Sequence, residues 1–123
     1  MSRVLVVEDN EKNMYLIAFI LEKMGHRVLR AATGEEGVEM ALRERPDLIL
    51  MDIQLPGIDG LAATKQIRAS ASGERIPIVA ITSMAMSGDR ERLLAAGCNG
   101  YIEKPIDPET IMAQISGFLG EGP

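Results

Sequence analysis

Four consecutive apolar residues, Leu48-Ile49-Leu50-Met51, run directly into a single carboxylate, Asp52, and the turn signal Pro56-Gly57 follows. A run this short with no polar alternation reads as a strand buried on both faces, which directs the chain toward a parallel sheet covered by helices. Asp52 then ends that strand at the rim of an open α/β sheet, where crevices at the topological switch point bind ligands. Aspartates at strand ends also cap turns, so position alone leaves a structural and a functional reading of Asp52 open.

The remainder of the chain follows the same alternation. Arg3 to Val7 reads as a first strand, and Glu8-Asp9-Asn10 turns polar before a helix with Met14, Ile17, Ile20, Leu21 and Met24 at helical spacing and Gly25 as its stop. His26 to Ala31 reads as a second strand, Thr33-Gly34 as a turn, and Glu35 to Arg43 as a helix with Val38, Ala41 and Leu42 facing inward. Gly37 inside that helix costs about 1 kcal/mol against alanine, which predicts a weaker element. Asp59 is placed to cap a helix running to about Ala69, and Ser70 to Glu74 reads as a loose polar loop. Ile76 to Ile81 reads as a fourth strand ending in Thr82-Ser83, Ser87 to Ala96 as a short helix stopped by Gly97, and Asn99 to Glu103 as a fifth strand closed by Lys104-Pro105. The last helix has Asp107 as N-cap, Pro108 at its first position and an apolar stripe of Ile111, Met112, Ile115, Phe118 and Leu119. Strands and helices in this order predict an α/β sandwich with right-handed crossovers.

With 123 residues there is room for one core, so one domain is expected, with Gly120 to Pro123 beyond its last helix and no appended output domain. A formal charge of −5 and the lack of a basic stripe argue against a nucleic-acid partner. No apolar run approaches a membrane span and the N-terminus lacks the pattern of an export signal, so no membrane partner and a cytoplasmic location are expected. The single cysteine, Cys98, rules out an internal disulfide and reads as a small buried residue; the single histidine, His26, reads as structural.

In a parallel sheet the carboxyl ends of the strands share one edge, which brings together Glu8, Asp9, Asp52, Thr82, Ser83 and Lys104. Three carboxylates in one place raise one another's pKa values, a cost that a divalent cation removes. Oxygen-only ligands without histidine favour Mg²⁺, which is commonly held by one or two carboxylates together with phosphate. Lys104 and a hydroxyl at the same rim suit an incoming phosphoryl group, with Asp52 as the nucleophile.

These residues stand in four ordered motifs: Val7-Glu8-Asp9-Asn10; Asp47 through Gly57 with Asp59-Gly60; Ala80-Ile81-Thr82; and Gly100-Tyr101-Ile102-Glu103-Lys104-Pro105. Together they resemble the response-regulator receiver domain of two-component phosphorelays, over Val4 to about Leu119. The resemblance implies a flavodoxin-like (βα)5 sandwich with a five-stranded parallel sheet in the order 2-1-3-4-5. It implies that Asp52 is phosphorylated from a phosphohistidine of a histidine kinase or histidine phosphotransferase. Mg²⁺ would be held by Asp9, Asp52 and the backbone carbonyl of Gln54, with Glu8 acting through a metal-bound water. Lys104 would bind the phosphoryl group and form a cis bond to Pro105, and Thr82 and Tyr101 would be the switch pair that carries phosphorylation to a downstream protein target. The chain would catalyse only its own phosphorylation and dephosphorylation, and would not be an enzyme in the ordinary sense. Output is expected on the face of helix four, strand five and helix five, around Met84, Met86, Tyr101 and Ile106.

Within the family, Asn10 to Met14, Met51 to Pro56 and Met86 to Asp89 are most similar to single-domain cell-division regulators of the DivK type and to receivers of hybrid histidine kinases. The start at Met1 and the lack of a linker favour the stand-alone form, with a receiver cut from a hybrid kinase as the alternative. Three other functions fit the residues less well. A flavin carrier needs a hydroxyl- and glycine-rich phosphate loop after strand one, where Glu8-Asp9 stands. An aspartyl-phosphate phosphohydrolase needs a second acid where Gln54 stands. A phosphorylation-independent binding module usually lacks one of the acids or the lysine, and here all are present.

Overall fold

In the computed structural model, which describes residues 2–83 and 87–120, strands and helices alternate as β1 (Arg3–Val7), α1 (Glu11–Lys23), β2 (Arg27–Ala31), α2 (Gly34–Glu44) and β3 (Leu48–Asp52). They continue as α3 (Gly60–Ala69), β4 (Ile78–Thr82), α4 (Ser87–Ala96), β5 (Gly100–Glu103) and α5 (Pro108–Phe118). The strands form one parallel sheet in the order β2-β1-β3-β4-β5, the flavodoxin-like arrangement expected. No helix of the described residues is long and apolar enough to cross a membrane.

Successive side chains of a strand point to opposite faces, and this splits the core in two. Leu5, Val7, Ile49, Met51, Ile78 and Ala80 pack toward Ala41 of α2, Ala63 and Ile67 of α3 and Leu93 of α4. Val4, Val6, Leu48, Leu50, Val79, Ile81 and Ile102 pack toward Ile17, Ile20 and Leu21 of α1 and Ile111 and Ile115 of α5. Every residue of β3 and β4 is buried, the physical counterpart of their unalternating apolar sequences.

The helix starts are set by side-chain caps. Asn10, Thr33, Asp59 and Asp107 each accept a hydrogen bond from the N–H three residues on, an arrangement worth about 1 kcal/mol apiece. Thr33 is therefore the cap of α2 and Gly34 its first residue, where sequence reading had only a turn. The inward face of α2 is Gly34, Gly37 and Ala41 with Val38 beside them, while Leu42 is half-buried outside both core clusters. Gly37 does more than weaken the helix. A Cβ there would stand 2.8 Å from Val7 Cγ2, so its absence lets α2 lie close on β1.

Other boundaries moved for identifiable reasons. Strand β4 starts after Pro77, which has no N–H to give the ladder. His26 precedes β2 and is buried, its ring Nδ1 accepting the Ser2 N–H at 3.3 Å, in keeping with a structural role. The segment expected as a loose loop contains a 3-10 turn at Ala71–Gly73. Arg68 holds it, donating to the carbonyl oxygens of Gly73 at 2.8 Å, Ile76 at 2.7 Å and Gly97 at 3.0 Å. Cys98 is buried, and burial pushes its thiol pKa up, which fits a small core residue.

Gly60 ties the fold to the rim of the sheet. A Cβ on it would lie 2.3 Å from the Asp52 carbonyl oxygen, so α3 begins directly against the end of β3. Gly60→Ala is expected to cost roughly 1–3 kcal/mol or more through overpacking against backbone. Urea denaturation measures it, and an unchanged midpoint would show that the junction yields without strain.

Candidate functional site

Sheet register assembles the rim. Val7 pairs with Met51, which carries Glu8 level with Asp52 on adjacent strands, and both follow residues of the same face. Glu8 is fastened by its N–H to the Ala31 carbonyl at 3.0 Å. Across the sheet Thr82 pairs with Glu103, and the Lys104 N–H donates to the Thr82 carbonyl at 2.8 Å, which brings the lysine stem to the same edge. The Lys104-Pro105 bond is cis, as the resemblance implied.

Four of the site residues expected from the sequence, Glu8, Asp9, Asp52 and Lys104, come together. Glu8, Asp9 and Asp52 each offer one carboxylate oxygen, and the three oxygens lie within 4.8 Å of one another. Lys104 Nζ is 3.2 Å from Asp52 Oδ1 and 3.9 Å from Glu8 Oε1. The Gln54 N–H donates to Asp52 Oδ1 at 3.1 Å, and the Asn10 N–H to Glu8 Oε2 at 3.2 Å. Ser83 Oγ lies 3.5 Å from Gln54 Oε1 at the exposed mouth. Asp52 and Glu8 are buried, at 1 and 2 % exposure, whereas Asp9 is open to solvent. The sequence had treated Glu8 and Asp9 as one polar loop; in fact Glu8 still follows the strand's course into the interior.

Burial of Glu8 has an electrostatic consequence. Its carboxyl is pushed up from 4.5 to about 7, first by desolvation and then by the neighbouring Asp52 carboxyl, with the Asn10 N–H and Lys104 pulling in the opposite direction. One buried oxygen, Glu8 Oε1, has no hydrogen-bond partner, although buried acceptors are normally satisfied. A cation fits this arrangement: the donor set is oxygen only, one lysine faces three acids, and an orphaned carboxylate oxygen borders the gap. The cluster of Glu8, Asp9 and Asp52 suits a hard divalent ion such as Mg²⁺.

The expected switch residues share one face. Tyr101 pairs with Ala80, and Thr82, two residues beyond Ala80, points the same way. Thr82 is buried and Tyr101 half-buried, packed against the core layer beneath α2, α3 and α4. Ile106 packs against the layer of α1 and α5 and Tyr101 against the opposite layer, on the two sides of the edge strand β5. Met84 and Met86, the other two residues of that group, lie outside the described residues. Sequence reasoning missed Arg90, whose guanidinium lies over the Tyr101 ring, 5.2 Å from its centroid. Its only signal was a charged helix face, which ordinarily marks solvent.

Comparison with known proteins agrees with this geometry. The sequence profile of the response regulator receiver domain matches residues 4–116. The polar-differentiation response regulator DivK of Brucella anthropi is 43% identical over 118 residues, covering 96% of each chain, and DivK of Brucella ovis is 42% identical over the same share. Among solved structures, the receiver domain of a sensor histidine kinase from Pseudomonas aeruginosa PAO1 is 42% identical, with a TM-score of 0.89 over 97% of this chain and 98% of that one. That structure has a magnesium ion coordinated in its active-site cleft. The chemotaxis response regulator CheY4 of Vibrio cholerae is 27% identical, with a TM-score of 0.92 over 96% of this chain and 98% of that one.

Proposed function

The chain belongs to the response regulator receiver domain family of two-component signalling, and from that membership together with the rim geometry we propose that Asp52 is its phosphoryl acceptor. The observation that carries this reading is the contact of Lys104 Nζ with Asp52 Oδ1 at 3.2 Å, beside two further acids at the end of a buried strand. Such a lysine makes little sense as a surface ion pair, since it reaches a carboxylate 1 % exposed. It makes good sense as a cation awaiting three more anionic oxygens.

Transfer proceeds by attack of an Asp52 carboxylate oxygen on phosphorus. The new P–O bond forms as the P–N bond to the donor imidazole breaks, the electron pair leaves with that nitrogen, and the product is an acyl phosphate on Asp52. Lys104 holds the phosphoryl oxygens as charge gathers there, and the Gln54 N–H keeps the carboxylate oriented. A Mg²⁺ ion held by Asp9, Asp52 and the Gln54 carbonyl would neutralise the acids and the transferred group, as the magnesium-bound relative suggests. The only chemistry performed is this self-modification and its hydrolysis, so no separate substrate is turned over.

Receiver domains work with histidine kinases and downstream targets, and the donor here is a phosphohistidine protein of that kind. Phosphorylation adds about −1.5 to −2 charges beside Thr82. The signal is a change in protein–protein affinity, carried by Thr82 and Tyr101 toward α4, β5 and α5. A DivK response regulator and the receiver domain of a sensor histidine kinase stand among the similar proteins at nearly equal identity, so either a stand-alone regulator or a hybrid-kinase receiver is compatible with this reading.

Incubation with acetyl phosphate and Mg²⁺ should add one phosphoryl group, and peptide mapping should find it on Asp52. Asp52→Asn should take up none. Undiminished labelling in Asp52→Asn would overturn the assignment, and labelling that persists at full rate in EDTA would remove the metal from it.

A further inference from the structure

The Tyr101 ring has a second neighbour that the proposed function does not use. Arg90, on the exposed side of α4, sets its guanidinium carbon 5.2 Å from the ring centroid, within the range of cation–π attraction. The ring is held between that guanidinium and the core layer that contains Ala80, Leu93 and Cys98. It lies on the same sheet face as Thr82, and Thr82 directly follows Ile81, the register partner of Asp52.

We propose that Arg90 is a positioning residue for Tyr101, holding the ring in its half-buried orientation and so biasing the domain toward the unphosphorylated arrangement. This rests on the reading of Thr82 and Tyr101 as the switch pair. The physical reason is an asymmetry in solvation. A ring that turns inward toward Thr82 leaves the attraction behind, because a guanidinium on an exposed helix face cannot follow it into the core without losing its water. A contact present in one arrangement and lost in the other shifts the equilibrium between them by its whole strength. At a partly exposed site that strength corresponds to a two- to fivefold change in population, from about 0.5–1 kcal/mol. Phosphorylation must overcome this bias before the ring moves.

The test is titration of the full chain with beryllofluoride and Mg²⁺, a phosphoryl mimic, followed by NMR in wild type, Arg90→Ala and Arg90→Lys. The chain has two tyrosines, so Tyr15→Phe assigns the Tyr101 ring signals. In Arg90→Ala those signals should move in the free protein and the apparent beryllofluoride affinity should rise two- to fivefold. Arg90→Lys, which keeps a cation over the ring, should stay near wild type. Merely losing a positive charge would weaken binding of an anionic mimic, so the expected rise has the opposite sign to a simple charge effect. Equal or weaker affinity in Arg90→Ala, with wild type binding normally, overturns the positioning role and leaves Asp52 as acceptor. A wild type whose Asp52 region does not respond to beryllofluoride at all overturns the acceptor reading, and the positioning role with it.

Discussion

Lys104→Ala should slow phosphoryl uptake at Asp52 by about 10²–10³-fold, the usual consequence of removing one preorganised charge from a developing anion. Acetyl phosphate labelling measures the rate, and a fall of less than about tenfold would mean that Lys104 does not stabilise the transferred group. Its effect on stability should depend on metal. The lysine side chain is 20% exposed and lies against the buried Asp52 carboxylate, so deleting it strands a buried charge. With saturating Mg²⁺ the ion supplies the missing positive charge and the melting temperature should hardly move. In EDTA above neutral pH the same variant should melt clearly below wild type. The comparison is Ile81→Ala, a core truncation that should cost about 2–5 kcal/mol with or without metal. If Lys104→Ala lost as much as Ile81→Ala in Mg²⁺, the lysine would be structural first.

The second large effect is a dependence of stability on pH that Mg²⁺ reverses. Glu8 holds its proton up to about pH 7 in the folded chain and releases it near 4.5 when unfolded. Between those limits the folded state binds the extra proton, so its stability relative to the unfolded chain falls as pH rises. The stabilisation is complete below about pH 4.5, is lost through about pH 7, and amounts to about 3 kcal/mol at most. Denaturant unfolding in EDTA across that window should therefore show a downward slope from this site. Glu8→Gln, a neutral side chain of the same shape, should remove it. Bound Mg²⁺ requires the carboxylates ionised, so its apparent affinity should climb over the same interval. A Glu8→Gln profile that keeps the wild-type slope would place the titration elsewhere.

Much of this was legible in the residues alone, because local physics controls it. Unbroken apolar runs at Leu48–Met51 and Ile78–Ile81, short and bounded by turn signals, read as strands buried on both faces, and their alternation with helical spacing leaves a parallel sheet as the economical solution. Asp59 and Asp107 announce helix starts through chemistry confined to three residues. Even the gathering of Glu8, Asp9, Asp52, Thr82 and Lys104 at one edge follows from parallel strands, whose carboxyl ends all lie together.

Contacts between segments distant in sequence were decided only by the tertiary structure. Nothing in Glu8-Asp9 says which acid is buried; the register of β1 between β2 and β3 turns Glu8 inward, and that desolvation, with Asp52 alongside, raises its pKa. Gly37 reads only as a weak point of its helix, and Gly60 shows no packing role, until Val7 and the Asp52 carbonyl are found where their Cβ atoms would be. Arg68 closes three carbonyls from two separate loops, and Arg90 covers Tyr101 from another element, neither with a sequence signal that names its partner. Periodicity records which face of an element avoids water. It carries no information about which residue of another element will meet that face, since that depends on how the layers pack and at what distance.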